Sequence, residues 1–204
     1  DLISAAGADR VVTMDLHAPQ IQGFFNIPID DLTAINLLGQ YLAHKHIPDL
    51  VVVSPDHGGA VRARKLANFL GDAPLAIIDK RRTQPNVAEA MNIIGDVSGK
   101  NCVIIDDIVD TGGSLVGSID MLKKNGAKDI YTLCTHGVLS RNAVDRIASS
   151  GIKEFVMTNT IELPEEKKRD NITVLSVAWM LSKVMEAISN HTPVSDVYDY
   201  FQAE

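Results

Sequence analysis

The chain has 204 residues, of which 46% are hydrophobic and 22% are charged, so it can bury a globular core and is not a disordered protein. Its formal net charge of −7 argues against a general nucleic-acid or membrane surface. Cys102 and Cys134 lie in apolar runs and are predicted to be buried thiols in a reducing, cytoplasmic compartment, and no signal peptide or membrane span is visible.

The first predicted elements are the end of a helix and a strand with polar residues at its carboxyl end. The sequence begins at Asp1 without a methionine, which indicates a trimmed or cleaved chain. Residues 10–17 are predicted to form a strand in which Asp15 and His17 lie two apart, on one face. His17 could be a metal ligand or a phosphate donor, although a single histidine is more often structural. A helix is predicted near residues 32–44.

A turn with two glycines joins the second predicted strand, residues 50–54, to a helix over residues 60–70. This arrangement places backbone N–H groups and one carboxylate at the edge where parallel sheets bind ligands. Two interpretations are open for the turn by itself: a diphosphate loop in which Asp56 holds metal, and a plain turn in which Asp56 caps the helix. Arg62 and Arg64 are expected to be solvated or paired with acids. The turn contains Asp56, Gly58 and Gly59.

A run of three cations follows the third predicted strand, residues 74–79. The run consists of Lys80, Arg81 and Arg82, in a chain that is acidic as a whole. Such a run is usually a solvated turn. Cations on a loop that closes over a site could instead neutralise the charge that develops during phosphoryl transfer.

The most informative stretch is residues 102–114, Cys-Val-Ile-Ile-Asp-Asp-Ile-Val-Asp-Thr-Gly-Gly-Ser. It predicts a buried strand with Asp106 and Asp107 at its carboxyl end, followed by a turn over residues 110–114 that opens a helix from about Leu115. Amides at a helix N-terminus attract anions, and glycines allow close approach, so the turn is predicted to bind a phosphate. The carboxylates would repel a phosphate unless they bind sugar hydroxyls or a divalent cation.

An alternative for this stretch is an acidic strand end in which Asp110 or Thr111 caps the helix. The stretch lacks the lysine of the GxxxxGK[ST] nucleotide loop and the spacing of GxGxxG, which excludes both of these motifs.

The remaining elements continue the alternation of strands and helices. The pattern predicts an α/β fold, a doubly wound, mostly parallel sheet with helices on both faces. The further strands are predicted at residues 130–134, 154–158 and 172–177, and the further helices at residues 142–149 and 178–190.

Two stretches resemble a known family. Residues 102–114 resemble the ribose-5-phosphate loop shared by phosphoribosyltransferases and phosphoribosyl diphosphate synthetases. Residues 15–25, Asp-Leu-His-Ala-Pro-Gln-Ile-Gln-Gly-Phe-Phe, resemble the segment that joins the two halves of the synthetases and that simple phosphoribosyltransferases lack. The chain is therefore identified as a member of the ribose-phosphate pyrophosphokinase (phosphoribosyl diphosphate synthetase) family, which implies a type I phosphoribosyltransferase-like fold.

The resemblance implies transfer of the diphosphate of ATP to the anomeric hydroxyl of ribose 5-phosphate, which yields 5-phosphoribosyl 1-diphosphate and AMP. Asp106 and Asp107 would bind the ribose hydroxyls directly or through Mg²⁺. Because adjacent strand residues point in opposite directions, both acids are expected to reach one ligand only if the strand has ended by Asp107. The implied 5-phosphate site consists of Asp110, Thr111, Gly112, Gly113 and Ser114.

The same resemblance implies a cofactor, Mg²⁺, and a catalytic loop. His17 and Asp56 would hold Mg²⁺ on the transferred group. The basic run resembles the family's flexible catalytic loop, in which Lys80 and Arg82 would stabilise the transition state. The implied diphosphate loop consists of Asp56, Gly58 and Gly59.

The family also implies a domain organisation and an assembly. Its members have a further N-terminal segment, and they commonly form homo-hexamers. We therefore expect residues 1–31 to be a remnant of the N-terminal domain and linker, residues 32–177 to form the C-terminal phosphoribosyltransferase-like domain, and residues 178–204 to pack on the missing domain. ATP and ribose 5-phosphate are the expected partners, without nucleic acid or membrane.

Two other functions are open. One is a phosphoribosyltransferase that displaces diphosphate with a base, which the segment around His17 and the basic run disfavour. The other is a non-catalytic protein, either a synthetase-like regulatory subunit or an inactive fragment. The intact acids and cations disfavour the regulatory subunit, whereas the truncation leaves the inactive fragment open.

Overall fold

The computed structural model describes residues 1–81 and 90–202. The chain divides into two compact units, residues 1–34 and residues 35–204. Each unit contains its own β-sheet, the first with two strands and the second with seven.

The first unit contains a short parallel sheet. Its elements are α1 (Leu2–Ala5), β1 (Val11–Met14), a 3₁₀ helix (Pro19–Phe24) and β2 (Ile29–Leu32). Val11 pairs with Ile29 in this sheet. The strand predicted over residues 10–17 is too long, because Asp15 has a φ of 43°, which is incompatible with an extended strand. Because the strand ends at Met14, the alternation of side chains along it does not predict the direction in which His17 points.

The second unit is built on a seven-stranded sheet. The strands are β3 (Leu50–Ser54), β4 (Leu75–Arg81), β5 (Ala90–Ile94), β6 (Asn101–Val109), β7 (Ile130–Gly137), β8 (Glu154–Thr158) and β9 (Ile172–Leu175). Their order in the sheet is β5-β4-β3-β6-β7-β8-β9. Neighbouring strands are parallel except for β4 and β5, which form an antiparallel pair at one edge.

The parallel strands β3 and β4, β6 and β7, and β7 and β8 are connected by helices. The connecting helices are α3 (Ala60–Phe69), α4 (Gly113–Lys124) and α5 (Ala143–Ser149). α2 (Ile35–Ala43) precedes β3, α6 (Ala178–Ser189) follows β9, and there are 3₁₀ helices at Glu165–Lys167 and Val194–Tyr200. Among the residues that the structure describes, no helix combines the length and the apolar character needed to cross a membrane.

Apolar residues cover both faces of the sheet. On one face, Ile104 of β6 lies in a core cluster with Ile119 of α4 and Ile147 of α5. The alternating residues Val103 and Ile105 are fully buried on the opposite face, where α2 and α3 contact the sheet. The predicted doubly wound, mostly parallel α/β fold is therefore confirmed.

Other strands also differ from the prediction. β2 and β5 were not predicted, and β6 continues to Val109 rather than ending at the two acids. The sequence of β2 is Ile-Asp-Asp-Leu, and aspartates are rare in strands. Tertiary contacts compensate for this, because Asp31 accepts a hydrogen bond from the Thr13 hydroxyl of β1 at 2.9 Å.

Thr132 provides a test of packing in the second unit. It is fully buried in β7, and its hydroxyl has no hydrogen-bond partner among the described residues. Thr132→Val removes this unpaired hydroxyl with little change in shape, so the free energy of unfolding in urea should rise by about 1 kcal/mol.

Thr158→Val is the matched control for this prediction. Thr158 is equally buried, but its hydroxyl donates to the Thr135 carbonyl at 2.7 Å. Removing a satisfied hydrogen bond should lower the free energy of unfolding by about 1 kcal/mol. Changes of the same sign in the two variants would contradict the assignment of Thr132 as an unpaired buried group.

Candidate active site

The two predicted ligand loops leave the same edge of the seven-stranded sheet. β3 and β6 are parallel neighbours, with Val53 beside Ile104, so their carboxyl ends lie side by side. From β3 the chain continues to β4 on one side of this pair, and from β6 it continues to β7 on the other. The pair is therefore the topological switch point of the sheet, where open α/β sheets bind ligands.

Hydrogen bonds within the turn hold the loop after β3, residues 55–59. The Ser54 hydroxyl donates to the Asp56 carbonyl at 2.6 Å, and the Gly59 N–H donates to Asp56 Oδ1 at 2.9 Å. A Cβ atom on Gly59 would lie 3.0 Å from Ser54 Oγ, so the turn favours glycine there. Asp56 thus stabilises the turn with one carboxylate oxygen, while Asp56 and Gly58 are exposed. The metal contact of Asp56 stays a prediction.

A histidine that the sequence analysis did not single out joins this loop to β4. His57 Nε2 lies 2.9 Å from Oδ1 of the buried residue Asp79. The contact fixes the loop against a strand whose backbone continues through Lys80. Arg82, the other predicted catalytic residue, lies outside the described residues.

The loop after β6 presents the N-terminus of α4. This helix begins at Gly113, two residues before its predicted start, and follows Gly112, which has a φ of 71°. No side chain in the described structure caps the helix, so the interpretation of Asp110 or Thr111 as a capping residue is wrong. Gly112 is also confined by packing, because a Cβ atom there would lie 3.3 Å from Ile147. The uncapped amides suit an anion.

Donors from neighbouring segments hold the carbonyl groups of this loop. Backbone amides that follow β7 donate to the carbonyl oxygens of Val109 and Asp110, each at 3.1 Å. Arg146 of α5, which the sequence analysis did not identify, donates to the Thr111 carbonyl at 3.3 Å. Because these carbonyl oxygens accept hydrogen bonds, part of their negative charge is offset. In addition, Arg146 adds a positive charge beside the loop. Both effects favour an anion at the amides of the α4 terminus.

The carboxylates of Asp106 and Asp107 contact one guanidinium group. Arg62 Nη2 lies 2.8 Å from Asp107 Oδ2, and Arg62 Nη1 lies 3.4 Å from Asp106 Oδ1. The expectation that the acids converge only if the strand has ended is wrong, because β6 continues past both of them. The two terminal nitrogens of the guanidinium span the pair instead. The interpretation of Arg62 as paired with acids is confirmed.

The environment of the pair changes the acidity of Asp106. Burial is the largest cause, followed by the hydrogen bond and charge of Asp107, and together they raise the pKa of Asp106 to about 7, against the lowering effect of Arg62. The Asp107 side chain is 4% exposed, whereas that of Asp106 is 33% exposed. Asp106 is therefore the more accessible member of the pair.

The two predicted magnesium ligands lie in different units of the chain. His17 is exposed in the first unit and Asp56 is exposed in the second. Within residues 1–81 and 90–202, no group of three or more His, Cys, Asp or Glu side chains is arranged to hold a metal ion. Magnesium is commonly bound by one or two carboxylates together with substrate phosphates and water, and an exposed Asp56 fits that chemistry.

Comparison with known proteins places this geometry in a family. A family model described as the phosphoribosyl synthetase-associated domain matches residues 51–199. The chain belongs to the phosphoribosyl synthetase family. The matched range includes both loops, the acid pair and Arg62.

Curated relatives support the same synthetase family. The ribose-phosphate pyrophosphokinase of Bacillus caldolyticus is 54% identical over 199 residues, and that of Bacillus subtilis is 53% identical over 198 residues. These alignments cover 98% and 97% of this chain, but 63% and 62% of the relatives. The chain therefore spans less than two thirds of the length of these synthetases.

A solved synthetase structure shares the fold. The crystal structure of phosphoribosylpyrophosphate synthetase from Mycobacterium smegmatis superimposes with a TM-score of 0.87 at 43% identity, over 94% of this chain and 62% of that chain. The resemblance to the synthetase family and the type I phosphoribosyltransferase-like fold that it implies are confirmed.

The raised pKa of Asp106 predicts a pH dependence of stability. The folded chain keeps the Asp106 proton up to about pH 7, whereas an unfolded chain releases it near pH 4. Between these values the folded state binds more protons, so this residue lowers the free energy of unfolding as pH rises. Asp106→Asn removes this effect, and the variant should gain stability relative to the unsubstituted chain from about pH 5 to pH 8.

The difference in the free energy of unfolding between the two proteins is measured by urea unfolding across this pH range. The buffer contains EDTA to remove divalent cations. The contacts that the substitution disturbs contribute a constant offset, so only the slope of the difference with pH reports the titration. A difference that is independent of pH would contradict the raised pKa.

Proposed function

We propose that this chain is the part of a ribose-phosphate diphosphokinase that binds ribose 5-phosphate. The intact enzyme would transfer the β,γ-diphosphate of ATP to the 1-hydroxyl of that sugar, giving 5-phosphoribosyl 1-diphosphate and AMP. The supporting observation is that one strand, β6, carries a carboxylate pair and leads into an uncapped helix N-terminus. The 54% identity to a ribose-phosphate pyrophosphokinase supports the same reaction.

The two ends of the sugar phosphate would bind different chemical groups. The amides at the start of α4 suit the 5-phosphate, because the helix dipole and unpaired N–H groups favour an anion. Asp106 and Asp107 suit the hydroxyls, which donate hydrogen bonds to carboxylates. The proposed phosphate-binding residues are Asp110, Thr111, Gly112, Gly113 and Ser114.

The transferred diphosphate would bind at the loop after β3. Its exposed residues Asp56 and Gly58 lie at the carboxyl end of the strand beside β6. Asp56 and His17 would hold Mg²⁺, which neutralises phosphate charge and orients the group for in-line attack when it is bound. Lys80 and Arg82 would stabilise charge in the transition state. Gly59 would complete the diphosphate loop.

The family also supports proposals about organisation. Residues 1–31 would belong to an N-terminal domain and linker, residues 32–177 would form the sugar-binding domain, and residues 178–204 would pack on the N-terminal domain. The intact protein would form a homo-oligomer, a hexamer as in the family. The two free, buried cysteines support a reducing location such as the cytoplasm.

The test combines binding and turnover. Titration calorimetry with Mg²⁺ should show uptake of ribose 5-phosphate, but not of unphosphorylated ribose, by a version extended to the length of the relatives. With ATP, that version should release AMP in proportion to the sugar phosphate consumed. Lys80→Ala should lower kcat by about a hundredfold or more with little change in ribose 5-phosphate affinity, because the lysine would act in the transition state.

The outcomes separate the alternatives. A folded, extended protein that takes up no ribose 5-phosphate would refute the proposal. Binding of the sugar without release of AMP would identify a non-catalytic regulatory subunit. Activity of the extended protein and inactivity of the present chain would identify the chain as an inactive fragment of the enzyme. An unchanged kcat in Lys80→Ala would remove that residue from the mechanism.

A further inference from the structure

Arg62 connects the two halves of the candidate site. It lies in the first turn of α3, three residues after Gly59 of the loop that follows β3. Its guanidinium contacts the carboxylates of Asp106 and Asp107 on the neighbouring strand β6. Leu66 of the same helix is fully buried, which anchors α3 against the sheet. The position of Arg62 relative to the acids is therefore set by the packing of α3.

Arg62 offsets the charge of the acid pair. When both are ionised, two carboxylates on adjacent residues repel each other, and this repulsion is strong where water is excluded. The side chains of Arg62, Asp106 and Asp107 are 22%, 33% and 4% exposed, so the contact is largely shielded from solvent. A planar guanidinium offsets both charges and also directs both carboxylates, because its N–H groups have fixed directions.

Backbone contacts fix only part of the pair. Asp106 Oδ1 accepts the amide of Asp107 at 2.9 Å, and Asp107 Oδ1 accepts the amide of Ile108 at 2.8 Å. The other oxygen of Asp107 is bound by Arg62 at 2.8 Å. Without Arg62, Asp107 would lose the contact to its second oxygen, while the repulsion between the two carboxylates, when both are ionised, would remain.

We propose that Arg62 is a positioning residue for the pentose, which holds the Asp106 and Asp107 carboxylates in the orientation that accepts the hydroxyls of ribose 5-phosphate. The inference rests on the proposed function. Arg62 acts through the acids, so its loss should weaken recognition of the hydroxyls and leave binding of the phosphate group unchanged. A lysine should replace it only in part, because one ammonium group does not span two carboxylates with a fixed geometry.

The experiment compares two ligands on matched variants. Tetrahydrofurfuryl phosphate carries the ring and phosphate of the sugar without its ring hydroxyls. Calorimetry at fixed Mg²⁺ on the extended protein should show that Arg62→Gln weakens ribose 5-phosphate binding about tenfold and changes tetrahydrofurfuryl phosphate binding by less than about twofold. Arg62→Lys should weaken ribose 5-phosphate binding about threefold. Arg64→Gln removes the same charge from an exposed position of α3 and should change neither affinity.

Each result has one meaning. Equal weakening of both ligands by Arg62→Gln would show a general effect on the fold and would overturn the inference, as would an unchanged ribose 5-phosphate affinity. If Arg62→Gln does not fold, as judged by circular dichroism, the same comparison on Arg62→Lys decides. An unsubstituted protein that binds neither ligand would refute the proposed function itself, and the inference with it.

Discussion

β3 and β6 run side by side in the same direction, and the chain leaves this pair in opposite directions across the sheet. Right-handed crossovers then require the two following helices to lie on opposite faces, which is what α3 and α4 do. Both helices start at the same edge, from strands about 5 Å apart. A ligand bound at this edge would therefore meet one loop from each face of the sheet.

The charge distribution at this edge differs from that of the whole chain. The protein has a net charge of −7, which would repel phosphorylated substrates at long range. Locally, the sheet edge has the amides of the α4 terminus, Arg146 beside them and Arg62 on the acid pair. Affinity for a sugar phosphate would thus depend on short-range contacts, which salt screens weakly where they are buried. In the proposed binding mode, the acids would discriminate for hydroxyls rather than determine the overall charge of the site.

Local sequence patterns predicted most of the elements and few of the contacts. The strands predicted at residues 50–54 and 154–158 have the observed bounds, because short apolar runs between turns are distinctive. β2 and β5 were missed because tertiary pairing, rather than propensity, stabilises them. The contact of Arg62 with Asp106 spans 44 positions of the chain, and His57 meets Asp79 only after β4 has packed. The partners in such contacts lie far apart in the chain, so they can be identified only when the order and direction of the strands are known.

The antiparallel pairing of β4 with β5 has a consequence for the backbone of Lys80. Ile78 pairs with Ile93, Lys80 with Met91 and Arg81 with Ala90, so β4 is held in register up to its last residue. Because side chains along a strand alternate with a period of two, a slip by one position would turn every side chain of the strand to the opposite face of the sheet. The pairing therefore fixes the place of Lys80 along β4, one residue after the Asp79 that contacts His57.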